Sequence, residues 1–288
     1  MRIESLVERV RINLSYMATF YYQQISMIAV WWLWNIPFQL FEILFSLLLF
    51  KLLTQALGAG AATLYGGDFM AFLISGLMVN TYLDCSLDVY RDAVGSLYLG
   101  RMGVGGLLLS MADYLRLAGI SPLVYIFAIA SWYYLMHTVM FALYYIIGVT
   151  FFGFQISPHT DLGLVALTLV LGILATSGLG LVSASMYWLA SSYRGVEPIR
   201  WLIRVMAPVV AGIYVPRDAL PRELAMLGNL LPHTYTIDAV RKLLLAGAGL
   251  NDIIGDLRVL AMQLILIPVG LLLLKYSLEL ERRRATIY

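Results

Sequence analysis

Asn80, Asp84 and Asp88 recur at four-residue steps, a spacing that puts all three on one face of a helix. Such a polar stripe could face a substrate or an ion. Ionisable groups inside apolar helices are costly, so they face a bundle interior, a partner or water. Asp88 falls about 30 Å along its apolar run, where it can meet water or Arg91, three residues on. Asp84 is then the one clearly internal carboxylate. Glu42 and Lys51 lie in an earlier apolar run, and nine residues turn a helix through about 900°. They point to opposite sides; Lys51 can snorkel outward, while Glu42 needs a partner on another helix or a second subunit.

Other chemistries find little material. His137, His159 and His233 are far apart, and no His/Asp/Glu cluster has metal-ligand spacing, so no metal is expected. The single cysteine, Cys85, excludes an internal disulfide. No nucleophile–base pair stands out, so no catalytic residues are assigned and the chain is read as a non-enzyme. The only lysines are Lys51, Lys242 and Lys275, and none follows a glycine. A phosphate-binding loop is therefore absent, and no cofactor is expected on this chain.

The elements that must position these residues are membrane helices. Of 288 residues, 61% are hydrophobic and 12% charged, with a mean hydropathy of +0.84. That is too little charge to cover a water-facing surface. An all-α polytopic membrane protein follows, forming one transmembrane domain over 1–288. Six spans are predicted: Ile36–Leu57, Phe69–Tyr90, Ala128–Phe152, Leu162–Ala190, Ile199–Val215 and Leu257–Leu280. Before them, Ile3, Leu6, Val7, Val10, Leu14 and Met17 mark an amphipathic interface helix within 1–30, and Trp31, Trp32 and Trp34 an aromatic belt. Small residues in the fourth span, among them Gly172, Gly178 and Gly180, permit close helix approach.

Arginines orient the bundle. Arg2, Arg9 and Arg11, then Arg91, Arg101 and Arg116, then Arg194, Arg200 and Arg204, and finally Arg282–Arg284 alternate with two connections, near Gly58–Gly67 and Gly153–Asp161, that hold no lysine or arginine. Positive-inside logic puts both termini in the cytoplasm of a multi-pass cell-membrane protein. The segment Ala211–Gly247 then lies outside, despite Arg217, Arg222, Arg241 and Lys242. Pro216, Pro221 and Pro232 break it into short pieces. Thr234–Ala246 has helical spacing, with Ile237, Val240, Leu243 and Leu244 on one face and Gly247 as a cap, and predicts a short helix at the membrane surface.

Two segments carry a family resemblance. One is the Gly212, Pro216, Leu220–Pro221, Leu231–Pro232, Thr234–Tyr235, Ala239, Arg241 and Gly247 pattern; the other is Asp113–Ala128, DYLRLAGISPLVYIFA. Together with the order of spans they make the chain similar to the membrane subunit of type-two ATP-binding-cassette (ABC) exporters. The longer, glycine-rich stretch Asp92–Met111, and an aspartate at 113 where glutamate is commoner, depart from the family pattern. The resemblance implies a permease for a substrate such as a polysaccharide, lipid or drug. It implies ATP and Mg on separate cytoplasmic ABC ATPase subunits, pairing with a second permease as a homodimer or heterodimer, and lipid but no nucleic-acid partners. It also implies an external re-entrant or short-helix hairpin within 216–250 and a cytoplasmic coupling region within 91–127.

In that region a short helix ended by Ser121–Pro122 would present Asp113, Tyr114 and Arg116 to the ATPase. An ordinary interfacial helix with solvated charges fits the same residues. An ion-coupled secondary transporter is the alternative function; it predicts internal repeats and midplane acidic sites, and the chain shows no repeat.

Overall fold

A computed structural model describes residues 2–57, 68–99, 101–104, 107–189 and 198–285. The predicted connection Gly58–Gly67, Arg194, and the side chains of Trp31, Arg2, Arg9, Arg101 and Arg282–Arg284 lie outside that description. Helix α1 (Arg2–Leu57) is one continuous element rather than an interface helix followed by a span. No glycine or proline occurs between Arg2 and Ile36, and Pro37 removes only one donor, so nothing breaks it. At about 84 Å it far exceeds a bilayer core of about 30 Å, and its apolar window is Trp32–Leu52.

Helix α2 (Phe69–Leu99) forms the centre of the bundle, with Leu73, Ile74, Leu83, Leu87 and Leu97 fully buried. An antiparallel ribbon follows, β1 (Arg101–Val104) with β2 (Leu107–Ser110), pairing Arg101 with Ser110. Then come α3 (Met111–Leu117), α4 (Pro122–Phe152) and α5 (Leu162–Leu189). Gly180 of α5 packs on the Ser86 carbonyl of α2, where a side chain would collide. The chain continues through α6 (Pro198–Val210), a 3-10 turn at Arg217–Ala219, α7 (Arg222–Gly228), α8 (Pro232–Ala246), α9 (Leu250–Gln263) and α10 (Leu266–Ala285).

Among the described residues, five helical segments are long and apolar enough to cross a membrane: Trp32–Leu52, Phe69–Tyr98, Pro122–Phe152, Leu162–Met186 and Leu250–Ser277. The predicted fifth span, Ile199–Val215, is not among these five. Its described helix α6 has 13 residues and ends in a tight turn where Gly212 takes φ +82. Thirteen residues reach about 20 Å, short of the hydrocarbon thickness. The last span starts earlier than predicted and joins α9 to α10 through a turn at Leu264–Ile265.

Helix α8 corrects the surface-helix reading. It is buried on more than its apolar face: His233, Thr234, Thr236 and Ala239 are covered along with Ile237, Val240, Leu243 and Leu244. Its C-terminal end meets the start of α5, where Ser157 N–H donates to the Leu244 carbonyl at 2.8 Å and Thr160 Oγ1 to Leu243 at 3.0 Å. Its middle packs Thr236 against Gly172. Fifteen residues give about 22 Å, so α8 descends from the Ser157 end of the bundle to roughly half the length of α5 without crossing.

Candidate functional site

At the Asp113 end, local chemistry fixes a protruding turn. Ser110 caps α3: its Oγ accepts from Asp113 N–H at 3.3 Å, and Asp113 Oδ2 accepts from Ser110 N–H at 3.0 Å. Asp113 Oδ1 accepts from Arg116 Nη1 at 3.3 Å, and Arg116 Nη2 donates to the Tyr98 hydroxyl at 3.4 Å. Two predicted features differ. The helix ends at Leu117, followed by Gly119 at φ +73, so Ser121 and Pro122 start α4 instead of terminating α3. A proline suits that first position, where its missing donor costs nothing. The Tyr114 hydroxyl is buried without a partner among the described residues, so it points inward. The tip is Arg116–Gly119, and Leu117, 77% exposed, is its apolar knob. Asn13 of α1 ties this turn to the N-terminal helix, its Oδ1 accepting from Ser121 N–H at 3.4 Å.

The stripe on α2 lies as its spacing predicts, and Asn80 Nδ2 donates to Asp84 Oδ2 at 2.7 Å. Asp88 finds partners on α6. Arg200 Nε lies 2.5 Å from Asp88 Oδ1 as an ion pair without hydrogen-bond alignment, and Arg204 Nη1 lies 3.4 Å from Oδ2. Arg200 also reaches Asp92 at 3.7 Å, which Arg91 approaches at 3.9 Å. Arg200 and Arg204 are themselves four residues apart, so two helical stripes of opposite charge mesh between α2 and α6. That complementary spacing was the available signal. Glu42 lies on the exposed face of α1, between exposed Phe41 and Phe45, and Lys51 Nζ sits 5.5 Å from the Phe152 ring.

The hairpin residues converge more closely. Arg241 of α8 donates from Nη1 to the Gly212 carbonyl at 3.1 Å, from Nη2 to the Phe72 carbonyl at 3.0 Å and from Nε to Ser75 Oγ at 3.4 Å. Its guanidinium carbon stands 3.6 Å from the centre of the Phe72 ring. Gly76 makes room: a Cβ there would fall 2.7 Å from Nη2. One side chain thus ties α8 to the first turns of α2 and to the turn after α6. Burial brings its pKa down from 12.5 to about 10, against the pull of Asp238. Pro216 precedes the 3-10 turn, Pro221 precedes α7, and Pro232 opens α8. The Tyr235 hydroxyl donates to the Asn229 carbonyl at 3.1 Å, and Arg217 bonds the Asn229 side chain. Gly247 caps α8 at φ +62.

No group of three or more potential metal ligands occurs among the described residues. No curated protein matches the chain. Residues 109–245, just under half of the chain, match the family model described as ABC-2 type transporter. The match runs from the capped turn at Ser110 to the end of α8, and so takes in both the Asp113 tip and the hairpin. Domains of this kind are membrane permeases without an ATP-binding cassette of their own, and they work with ABC ATPase subunits. Residues 109–245 thus carry an ABC-2 type transporter domain, the membrane permease of type-two ABC transporters, within a chain that has five described helical segments long and apolar enough to cross a membrane.

Proposed function

We propose that this chain is the permease subunit of an ATP-driven exporter, and that a separate ABC ATPase docks on the tip Arg116–Gly119. The match of residues 109–245 to the ABC-2 domain carries the reading. The docking assignment draws support from the shape of the turn: a capped, ion-paired base holds Leu117 and Arg116 outward, which suits an anchor in a partner's cleft. In this arrangement the Asp113 end and both termini face the cytoplasm, consistent with Arg91, Arg116, Arg200 and Arg204 gathering toward that end. The Ser157 end, with the α8 hairpin, faces outward and shapes the exit for a polysaccharide, lipid or drug.

A second permease copy or paralogue covers α1. Glu42 amid exposed Phe38, Phe41 and Phe45 is a poor surface for lipid and a reasonable one for a protein partner. The test is co-purification with candidate phosphate-loop ATPases, beginning with any that is encoded beside this gene. Stable capture and stimulated hydrolysis are expected; failure of every candidate ATPase to bind overturns the exporter reading.

A further inference from the structure

The buried tip of α8 holds polar groups without partners among the described residues. His233 is fully covered, and neither ring nitrogen has a partner among the described residues. Thr176 Oγ1 of α5 and Gln263 Oε1 at the end of α9 are likewise covered and unpartnered. Leu231, at the N-cap of α8, offers no side-chain acceptor either.

Helix register brings these groups to one level. The contact of Gly172 with Thr236 fixes α5 against α8, and the bonds from Thr160 to Leu243 make the two antiparallel. One turn on from Gly172 is Thr176; one turn back from Thr236 is His233. Those steps are about 6 and 4.5 Å along the axis, on the contacting faces. Gly178 packs on Leu266 and Gly270 on Leu181, so α5 and α10 run parallel. Gln263, three residues before Leu266, therefore falls level with Ala175–Thr176. Its Nε2 already reaches the Leu230 carbonyl at 3.4 Å, two residues before Pro232.

We infer that His233, Thr176 and Gln263 form a polar seat that binds water at the inner tip of the re-entrant helix. A neutral imidazole offers one donor and one acceptor, a hydroxyl both, and an amide oxygen an acceptor, which together match the bonding capacity of a water molecule. A cation would find no carboxylate among these three groups, and an anion no positive charge. Full burial of His233 and Thr176 leaves no opening for a larger guest. The seat holds the α8 tip by hydrogen bonds at a depth where lipid supplies none.

The test uses the full chain in lipid nanodiscs, 15N-labelled at histidine, with H137Q and H159Q so that one imidazole remains. Solid-state NMR reads magnetisation transfer from water to that ring. Transfer at short mixing times is expected, and it persists in T176V because Gln263 still holds the water. Absence of transfer overturns the proposal, as does its complete loss in T176V, which would make the hydroxyl a direct partner. Melting of H233L in the otherwise unaltered chain is the second readout. A lower midpoint is expected, since a bound water loses a ligand; a higher midpoint means the imidazole was dry, and overturns the proposal.

Discussion

Arg241 gives the most quantitative handle on the hairpin. Lowering of its pKa from 12.5 to about 10 corresponds to about 3 kcal/mol of cost for keeping the charge buried. Against this stand bonds from the charged group to two carbonyls, about 1.5–3 kcal/mol each, and the stacked Phe72 ring, about 2 kcal/mol when desolvated. The balance favours arginine by about 2–5 kcal/mol. Its lower end applies to Arg241→Met, because the Phe72 carbonyl keeps a donor in the Ser75 hydroxyl at 3.0 Å. Only the Gly212 carbonyl loses a side-chain donor outright, so a loss of about 2 kcal/mol is expected.

Arg241→Lys should fare worse, by about 3 kcal/mol. It retains a buried charge, and a single, strongly hydrated ammonium cannot span both carbonyls. Gly76→Ala should act in the same direction by displacing Nη2. The assay is unfolding of each variant in nanodiscs, with hydrogen exchange read at Ile213 and Tyr214. A methionine variant as stable as wild type, or a lysine variant indistinguishable from it, would refute the fork-and-carbonyl account.

Three further outcomes follow from the same geometry. Asp88→Asn leaves Arg200 and Arg204 without their shared carboxylate and should cost about 2 kcal/mol, whereas Arg204→Ala, at a more exposed end, should cost under about 1 kcal/mol; a double-mutant cycle on unfolding checks the coupling. Asp113→Ala removes the reciprocal cap of α3 and should cost about 1 kcal/mol, read as a lower melting midpoint, while Tyr114→Phe should be neutral or stabilising because the buried hydroxyl has no partner among the described residues. Burial lowers the His233 pKa from 6.5 to about 4, so the unfolded chain binds more protons in that window. Stability from this group is complete above pH 6.5 and falls by up to about 3 kcal/mol toward pH 4; H233L should flatten that part of the pH–stability curve.

Much of the bundle was legible because membrane helices are written in long apolar runs. The second, third and fourth spans follow their composition closely, and Gly247 follows the rule that a left-handed cap favours glycine. The same local rules misjudged α8. Four apolar residues on one face suggest a surface helix, yet Thr234 and Thr236 bury by donating to the carbonyls of Gly228 and Pro232, which lets a polar face enter the bundle. The partner of Asp88 was missed for a related reason. Arg91 is near in sequence, while Arg200 is more than a hundred residues away and comes close only once α6 packs on α2. Tyr114 faces inward although the sequence suits an exposed aromatic anchor, because the cap on Ser110 sets the rotation of α3.

The claim that energy reaches this permease through the α3 tip is tested most directly by ATP hydrolysis in a reconstituted complex of this chain with its ATPase. Wild-type permease should stimulate hydrolysis, and Leu117→Asp, which alters only the exposed knob, should abolish the stimulation while leaving the melting midpoint unchanged. Full stimulation by the Leu117→Asp chain would contradict the account.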